Sequence, residues 1–437
     1  MDTDILIVGA GIFGVSTAYH LAQRHHHHDD PSSIGITILD RGPAPSPLAA
    51  STDINKIVRA DYSKPLYMDL AYEAMDAWAN LPFFKDADVY HRTGWVMMDE
   101  KGSDLAERIR RNFRDSARED VTFDLTEEEV RGSWGGVLGQ MDCNGWGSYY
   151  ANPSAGWVDA ASAVEIMVNE AIKLGVRYEV GEASRIVLGK EGVGVEGVET
   201  GDGKVYRAKK VLLATGAWTS RLMSSLEDEL DMPDEERIET QITAAGVCVA
   251  HFQLSPEEAE VYGRLPVLVC GAKGEILPPT RTGIFKFTNA TSFTNTITTE
   301  TGHQISAPPD RDQSIIPQKL RDESLQLIRK RIPQVLDGGK RPVDHFRLCW
   351  DSISRDQNQL ITRHPDARLA NLFLAAGGSF HSWKFLPTIG KYVANVLEGV
   401  SNGAEKDQAW RWKPVQPSAE RGVHEKVIPK RDLNELE

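Results

Sequence analysis

The alternation of apolar and polar positions is clearest at the amino terminus. Four consecutive apolar residues, Ile5 to Val8, predict a short buried strand. The amphipathic stretch that follows predicts a helix ending near Arg24, and the run GITILD predicts a second strand that closes on Asp40. A strand, a helix and a second strand in this order are typical of a parallel βαβ unit.

The turn between the first strand and the helix contains Gly9, Gly11 and Gly14 in the spacing GxGxxG. In a dinucleotide-binding turn, the first glycine permits the tight turn, the second admits a diphosphate and the third lets helix and strand pack closely. The helix N-terminus offers free N–H groups to the diphosphate. Asp40, followed by Arg41, would accept hydrogen bonds from a ribose. This context predicts a dinucleotide site.

A polar stretch with four consecutive histidines, residues 25–28, separates the helix from the second strand. It explains why Gly9 and Asp40 are further apart than the usual spacing of about 20 residues. Adjacent histidines cannot all converge on one ion, and no cysteine or second histidine pair is nearby. A solvated loop is therefore predicted, and no metal site is expected.

Two later segments place candidate chemistry on strands. Residues 177–218 resolve into several short strands with glycine turns. The last strand ends at Thr215 and Gly216, where a doubly wound sheet would bind its cofactor. Lys286 lies within the alternating apolar run TGIFKF, which predicts another strand. A lysine in the middle of such a strand is unusual unless it is paired or functional.

The size and charge of the chain exclude several classes of protein. Its 437 residues exceed one ordinary core and predict two or three domains. The 41% hydrophobic and 26% charged content is that of a globular protein, and no apolar run approaches the ~20 residues that span a bilayer. The net charge of −14 argues against nucleic acid or an anionic membrane as a partner.

The cysteines and the chain ends favour a cytoplasmic location. Four scattered cysteines do not form a disulfide framework, which indicates a reducing compartment. The acidic amino terminus is unlike a secretory signal, and the final residues Glu435 to Glu437 are not a peroxisomal S-K-L address. A monomer that acts on a small molecule is expected.

Three segments together resemble one family of flavoenzymes. They are the GxGxxG unit that ends at Asp40, the segment ATGAW at residues 214–218, and NLFLAAGGSFHSWKFLPTIGKYVANVLEG at residues 371–399. The chain is similar, from Ile5 to about residue 414, to the FAD-dependent amine oxidases that include monomeric sarcosine oxidase, fructosyl amino acid oxidase (amadoriase) and saccharopine or pipecolate oxidase. The resemblance implies an FAD cofactor.

The resemblance also implies an α/β fold in which two domains are interleaved. A glutathione-reductase-like FAD-binding domain would consist of residues 1–84, 151–222 and 345–415. A substrate domain of α+β type, with a mixed sheet over the flavin, would consist of residues 85–150 and 223–344. The polar tail at residues 416–437 is expected to pack loosely.

In this family a cysteine followed by an aromatic residue carries the flavin through a thioether, and the segment RLCW places Cys349 there. An inert buried thiol is the alternative interpretation of Cys349. The remaining cysteines have no such context and are interpreted as core or surface thiols. Two positions of the later flavin-facing segment, Gly378 and His381, are added as candidate cofactor contacts.

The resemblance implies roles for four basic residues in binding the substrate and in the reaction with oxygen. Arg59 and Lys384, with Lys56, match the basic residues that bind the substrate carboxylate, since an arginine fork binds a carboxylate through two hydrogen bonds and a lysine adds a point charge. Lys286 matches a lysine over the flavin ring whose charge helps O2 to accept an electron. A lysine at a strand edge that extends to solvent is the alternative for Lys286.

The implied reaction is oxidation of the C–N bond of a secondary amino acid, with hydride transfer to the flavin and formation of an imine and H2O2. An N-methyl amino acid, pipecolate or a saccharopine-type compound is the favoured substrate, with secondary metabolism in a fungus as one setting. Fructosyl amino acids are the alternative, although the acidic residue that amadoriases carry after the active-site lysine is absent from residues 287–290. A flavin-dependent dehydrogenase with another acceptor and a non-catalytic nucleotide-binding protein stay open.

Overall fold

The computed structural model describes residues 2–25, 34–116, 118–189, 194–414 and 428–437. Within these ranges the strands are β1 (Asp2–Val8), β2 (Ile36–Asp40), β3 (Asn55–Val58), β4 (Tyr90–His91), β5 (Trp95–Glu100), β6 (Phe123–Leu125), β7 (Trp146–Asn152), β8 (Gly156–Asp159), β9 (Arg177–Val180), β10 (Ala183–Leu188), β11 (Val195–Thr200), β12 (Val205–Leu213), β13 (Ile242–Gln253), β14 (Val267–Cys270), β15 (Gly274–Leu277), β16 (Ile284–Phe293), β17 (Thr296–Thr298), β18 (Gln304–Ser306), β19 (His345–Ser354), β20 (Leu360–Arg363) and β21 (Leu372–Ala376).

The α-helices of the same ranges are α1 (Ile12–His25), α2 (Pro65–Asn80), α3 (Pro82–Asp86), α4 (Leu105–Asp115), α5 (Glu127–Gly132), α6 (Ala160–Lys173), α7 (Thr219–Glu229), α8 (Pro256–Tyr262), α9 (Gln318–Arg331), α10 (Ile389–Glu398) and α11 (Ala404–Trp410). The predicted strand, helix and strand at the amino terminus are confirmed as β1, α1 and β2. None of the helices in these ranges has the length and apolarity needed to cross a membrane.

The first large sheet is built around the amino-terminal strand. β1 lies between β12 and β2 and is parallel to both, while β9 and β21 continue the parallel arrangement on either side. β10, β11 and β20 are antiparallel additions. α1 packs against α6 and α10, and its apolar side chains form a common core with theirs. β1 therefore pairs with one strand that is near in sequence, β2, and with one that is distant, β12.

The second large sheet is mixed, as predicted. Its strands follow the order β19, β13, β16, β15, β14, β5, β7 and β6. β14 and β5 are parallel, whereas the other neighbouring pairs are antiparallel. A separate hydrophobic core that includes residues of α9 lies against this sheet. A small antiparallel sheet of β3, β8 and β4 accompanies the two large ones.

The position of β19 corrects one part of the predicted division into domains. Residues 345–415 were assigned to the FAD-binding segments, but β19 pairs with β13 along its whole length, from Ser354 opposite Ile242 to His345 opposite His251. β19 is therefore an edge strand of the second sheet, and only the chain after Ser354 joins the first sheet. A strand has no local sequence signal that selects its partner, because pairing depends on tertiary context. The other domain boundaries stay predictions.

The carboxyl terminus is packed, contrary to the expectation of a loose tail. In the described residues 428–437, Leu433 and Leu436 are buried and belong to the core of the second sheet. Arg431 pairs with Glu323 at 3.0 Å, and the Asp432 carboxylate accepts a hydrogen bond from the backbone of Thr296. The prediction failed because two leucines supply enough apolar area to anchor a segment that otherwise looks polar.

The histidine run is described only at its first residue. His25 ends α1, and its Nε2 lies 2.5 Å from the carboxylate of Glu398. The rest of the predicted solvated loop lies outside the described residues. Across the described part of the chain, no group of three or more histidine, cysteine or acidic residues could hold a metal ion.

Candidate active site

The glycine turn has the close packing that its sequence predicts. Gly9 has φ of +106°, and a Cβ at this position would overlap the backbone carbonyl of Ala214 on the neighbouring strand. A Cβ at Gly14 would overlap the carbonyl oxygen of Gly9. These two positions therefore require glycine for both conformation and space.

Asp40 closes the turn from the end of β2. Its carboxylate accepts a hydrogen bond of 2.7 Å from the backbone N–H of Ala10. Gly11 has free space, since the nearest atom to a Cβ there would be the Ser51 hydroxyl at 3.4 Å. Asp40, Gly11 and Arg41 all border the same cavity. This part of the chain thus keeps an N-terminal helix end open to a ligand.

A cavity of about 740 Å³ begins at the glycine turn and is lined by residues of both large sheets. The predicted site residues that line it are Gly9, Gly11, Asp40, Arg41, Lys56, Arg59, Thr215, Gly216, Lys286, Cys349, Gly378, His381 and Lys384. Gly14, among the predicted residues, does not line it and instead packs under the turn. Positions predicted from distant segments are therefore brought together in one space.

The second sheet presents alternate residues to this cavity. Side chains of a strand point to opposite faces in turn, so residues two apart share a face. The residues of this face are Val247 and Val249 of β13, Glu275 and Leu277 of β15, Lys286, Thr288 and Ala290 of β16, and Cys349 of β19. The charged residues that these four strands contribute to the cavity lining are Lys286, Glu275 and Asp351.

Lys286 is buried and bound to an acid that the sequence interpretation missed. Its Nζ lies 2.7 Å from the Asp53 carboxylate and 2.7 Å from the carbonyl oxygen of Asn55. Lys56 reaches the same Asp53 oxygen at 2.9 Å. An edge lysine that extends to solvent is thereby ruled out, since the side chain is only 3% exposed.

The Asp53 carboxylate is ionised between its two lysines. Burial alone would raise the pKa of Asp53, but Lys286 and Lys56 outweigh it and hold the pKa well below its usual range. Burial lowers the pKa of Lys286, with Asp53 counteracting part of the effect. Burial also acts against the charge of Lys56, but the neighbouring Asp53 carboxylate keeps the pKa of Lys56 above its usual value. The Asp53 carboxylate thus joins both lysines at the cavity wall.

Arg59 is held between two aromatic rings. Its guanidinium carbon lies 4.7 Å from the ring centroid of Tyr62 and 4.7 Å from that of Trp95, and it also donates to the backbone carbonyl of Asp61. Stacking on aromatic faces orients a guanidinium without neutralising it. The arginine therefore enters the cavity in a fixed orientation and with its charge available to an anion.

Lys384 and His381 meet at the Tyr62 hydroxyl. The Nζ of Lys384 donates to the Tyr62 hydroxyl at 2.8 Å and to the carbonyl oxygen of His381 at 2.5 Å. The His381 ring lies 3.2 Å from the same hydroxyl through Nδ1 and 2.8 Å from the Gln357 carbonyl oxygen through Nε2. Tyr62 therefore connects Lys384 to Arg59, so the two predicted carboxylate ligands belong to one network.

Asp61 is a buried carboxylate of the cavity that the sequence did not reveal. It is 1% exposed and accepts hydrogen bonds from the Tyr150 hydroxyl at 3.0 Å and the Asn152 amide at 2.9 Å. Burial raises the pKa of Asp61 to about 6, although Arg59 and the two hydrogen bonds act in the opposite direction. The charge of this acid thus changes in the pH range where most enzymes work.

The loop before Lys384 has a strained backbone that rests on β19. Ser379 and Phe380 have φ values of +49° and +58°, which non-glycine residues rarely adopt. The Asp351 carboxylate of β19 accepts a hydrogen bond from the Phe380 N–H at 2.8 Å. A Cβ at Gly378 would lie 2.7 Å from the same carboxylate. Such strain persists only where surrounding contacts enforce it, and it concentrates at ligand sites.

Cys349 lies on β19 beside this loop. Its side chain is 4% exposed, borders the cavity and packs with Val247, Val249 and Phe380. The thiol is therefore at the cavity wall and not inside a closed core. Cys143, Cys248 and Cys270 are buried and do not line the cavity.

The opposite end of the cavity is formed by the segment after β12. Arg41 lies over the Trp218 ring at 4.4 Å and pairs with Glu182 at 3.5 Å. Thr215 and Gly216 border the cavity at the carboxyl end of β12, next to β1. This is the edge at which doubly wound sheets bind nucleotides.

The residues present fit a flavin dinucleotide. The glycine turn and Asp40 lie at one end of the cavity lining, and Cys349, Lys286 and the strained loop lie on the second sheet's side. A ligand with a diphosphate in the middle would meet the helix N-terminus of α1 and a largely apolar face of the second sheet. Fold and site together define the class of dinucleotide-dependent oxidoreductases, with Arg59 and Lys384 in the wall of the cavity.

Comparison with known proteins identifies the family. The chain belongs to the FAD dependent oxidoreductase family, whose model matches residues 4–396. It is 29% identical over 440 residues to L-saccharopine oxidase of Schizosaccharomyces pombe, covering 96% of this chain and 95% of that protein. It is 22% identical over 411 residues to monomeric sarcosine oxidase of a Bacillus species, covering 90% and 91%.

A solved structure supports the same assignment. The crystal structure of the deglycating enzyme fructosamine oxidase (Amadoriase II) from Aspergillus fumigatus superposes with a TM-score of 0.80 at 29% identity, covering 94% of this chain and 90% of that one. These comparisons confirm the resemblance seen in the sequence, the α/β fold class and FAD as the cofactor. They also confirm the enzyme class, an FAD-dependent amine oxidase that acts on CH–NH donors.

Proposed function

We propose that the protein oxidises the C–N bond of a secondary (N-alkyl) amino acid to an imine and uses O2 as electron acceptor, with H2O2 as the second product. The observation that carries this proposal is the convergence of Arg59 and Lys384 on the cavity that also contains Lys286 and Cys349. A substrate carboxylate held there would bring the adjacent C–N bond beside the flavin. Bound FAD would supply the two-electron oxidation and pass the electrons to O2.

Each cation has a separate task in this proposal. Arg59, fixed between two rings, binds the carboxylate through its fork, and Lys384 adds a second positive charge. Lys56 acts through Asp53, since it is bound to that carboxylate and so shares it with Lys286. Lys286 holds a positive charge where O2 would be reduced. Fixing the carboxylate positions the reacting bond, and positioning is a large part of catalysis.

The favoured substrate is an N-methyl amino acid, pipecolate or a saccharopine-type compound. The full-length similarity to L-saccharopine oxidase supports this choice. Fructosyl amino acids are the second candidate, because fructosamine oxidase has the same fold at 29% identity. Against them, Thr288 and Ala290 are the cavity-facing residues that follow Lys286 on β16, and neither is acidic.

A peroxide assay tests the proposal. Purified enzyme would be supplied with sarcosine, N-methyl aromatic amino acids, pipecolate, saccharopine and fructosyl-valine, and H2O2 and amine loss would both be measured. One peroxide per amine consumed is expected for the preferred substrate, with Lys384→Met raising KM at least tenfold. If amine is consumed but no peroxide forms, the enzyme is a dehydrogenase with another acceptor. If none of these amines is consumed, the proposal is refuted.

We further propose that Cys349 carries FAD through a thioether at the 8α position. The position of its side chain at the cavity wall, beside the strained loop, supports this attachment. After acid precipitation, the yellow colour should stay in the pellet of the parent enzyme and move to the supernatant for Cys349→Ala. Free FAD released from the parent enzyme would contradict the attachment.

We also propose that the enzyme is a cytoplasmic monomer. The similarity over 90% of this chain to a relative named monomeric sarcosine oxidase supports the monomer. Light scattering after gel filtration should give the mass of one chain, and twice that mass would contradict the proposal.

A further inference from the structure

Glu275 is a carboxylate at the wall of the cavity. It lies on β15 directly opposite Thr288 of β16 and shares the cavity-facing surface of the sheet with Lys286. Within the described ranges, no hydrogen bond or ion pair reaches its side chain. The residue is half-buried, and its charge raises the pKa of Lys286. An acid left unpaired in a partly desolvated site is available to a ligand.

The other carboxylates that border the cavity are already bound. Their partners are the two lysines for Asp53, Tyr150 and Asn152 for Asp61, backbone N–H groups for Asp40, Asp99 and Asp351, Arg41 for Glu182 and Lys413 for Asp356. Each of these acids therefore serves the protein itself. Glu275 differs from them because, in the described ranges, no hydrogen bond or ion pair reaches its carboxylate, although its charge acts on Lys286 from a distance.

Glu275 lies close to Lys286 but is displaced from it along the sheet. In the antiparallel pair of β15 and β16, Leu277 is opposite Lys286, and Glu275 is two residues further along. Strand spacing and rise put the Cα atoms of Glu275 and Lys286 about 8 Å apart. Asp99 of β5, Arg108 of α4 and Gly271, which lies between β14 and β15, also line the cavity. A substituent on the substrate nitrogen that extends away from Arg59 can thus reach this carboxylate.

We propose that Glu275 is a specificity-determining residue that binds a protonated amine on the N-substituent of the substrate. This inference rests on the proposed function and names the substrate class more narrowly: an N-alkyl amino acid whose alkyl group ends in an ammonium or a zwitterionic amino acid head. A charge-assisted hydrogen bond from ammonium to carboxylate is stronger than one between neutral groups. Small substrates such as sarcosine would leave Glu275 unpaired and bind less well.

Binding of two thioether acids tests this role without turnover. (Pentylthio)acetate and (5-aminopentylthio)acetate both carry the carboxylate for Arg59 and contain sulfur in place of the oxidisable nitrogen. Their Kd values would be measured from the change in flavin absorbance of the holoenzyme. The parent enzyme is expected to bind the amine-bearing acid at least tenfold more tightly. Glu275→Gln and Glu275→Ala should remove this preference and leave the Kd of (pentylthio)acetate within twofold.

Glu260→Gln provides the matched control, because Glu260 is an exposed glutamate of α8 that pairs only with Arg264 in the described structure. This variant should keep the preference of the parent enzyme. A tenfold preference that survives in both Glu275 variants would overturn the inference, and so would a parent enzyme that binds the two acids equally or binds neither. Since no oxidation is measured, the result is separate from the outcome of the peroxide assay, which alone decides the proposed function.

Discussion

Replacing Asp53 by asparagine should expose two buried cations to each other. The nitrogens of Lys286 and Lys56 lie 2.7 Å and 2.9 Å from the same Asp53 oxygen, so they are no more than about 6 Å apart. At an effective dielectric constant of ~20, each attraction to Asp53 amounts to about 6 kcal/mol and the repulsion between the lysines to about 3 kcal/mol. Desolvation offsets much of the attraction, and we expect Asp53→Asn to lower the free energy of unfolding by about 3–5 kcal/mol.

The attraction between Asp53 and Lys286 can be isolated by a second substitution. Lys286→Met leaves Asp53 paired with Lys56 and should lower the free energy of unfolding by about 1–3 kcal/mol. In the double variant neither Asp53 nor Lys286 carries a charge, so their mutual attraction is lost once, whereas it is counted in both single losses. The loss of stability in the double variant should therefore be smaller than the sum of the two single losses by that attraction, up to about 6 kcal/mol.

Urea unfolding of the holoenzymes, followed by tryptophan fluorescence, would measure these four free energies. Glu127→Gln is the control, because its pair with Arg131 is exposed to solvent and should contribute little to stability. Losses that add to within about 0.5 kcal/mol would refute the reasoning, since they would show that Asp53 does not bridge the two lysines.

Three further variants test other parts of the structure. Gly14→Ala should lower the free energy of unfolding by more than about 3 kcal/mol and release flavin, because the added Cβ would overlap the Gly9 carbonyl. Gly132→Ala is the control: there is open space around Gly132, so its stability in the same urea assay should change by less than about 0.5 kcal/mol. Burial raises the pKa of Asp61 to about 6 from the usual 3.8, so the folded protein holds the Asp61 proton more tightly than the unfolded chain does. The stability that this protonated carboxyl contributes is present below pH 4, and about 3 kcal/mol of it is lost as the pH rises to 6. Asp61→Asn should therefore be more stable than the parent by up to that amount above pH 6 and equal to it near pH 4; a difference that does not vary from pH 4 to 8 would contradict the raised pKa. Leu433→Ala should lower the free energy of unfolding by about 2–4 kcal/mol, and a loss below about 0.5 kcal/mol would show that the carboxyl-terminal segment is not anchored.

Local patterns predicted the first βαβ unit because its elements are defined by neighbours in sequence. The apolar run of β1, the glycine turn and Asp40 lie within 40 residues, and each requirement is visible in the letters themselves. The partner of β19 was not predictable in this way, since an alternating strand suits the edge of either sheet. The same limit applies to the last ten residues, whose two leucines find a core that is distant in sequence.

At the candidate active site, too, features defined by neighbours in sequence were predictable and contacts between distant segments were not. Lys286 stood out as a lysine within an apolar strand, but its acid, Asp53, is 233 residues away and was noticed by no pattern. The one available signal was its position three residues before Lys56 in the segment TDINK. Asp61 lies in the polar-looking segment RADYS, and Glu275 in KGEIL, which resembles a turn. Burial decides the chemistry of both acids, and burial depends on chain segments that a local pattern does not contain.

The central place of β1 in the first sheet has a consequence for synthesis on the ribosome. β12, which pairs with β1, ends at Leu213, and β21 on its far side ends at Ala376. At about 5–20 residues per second, the first of these partners emerges about 10–40 s after Val8 and the second about 20–70 s after it. The amino-terminal strand must therefore wait with an unpaired edge, a condition in which nascent chains depend on chaperones. The cavity lining includes residues as late as Lys384, so the complete cavity can form only after most of the chain has been synthesised.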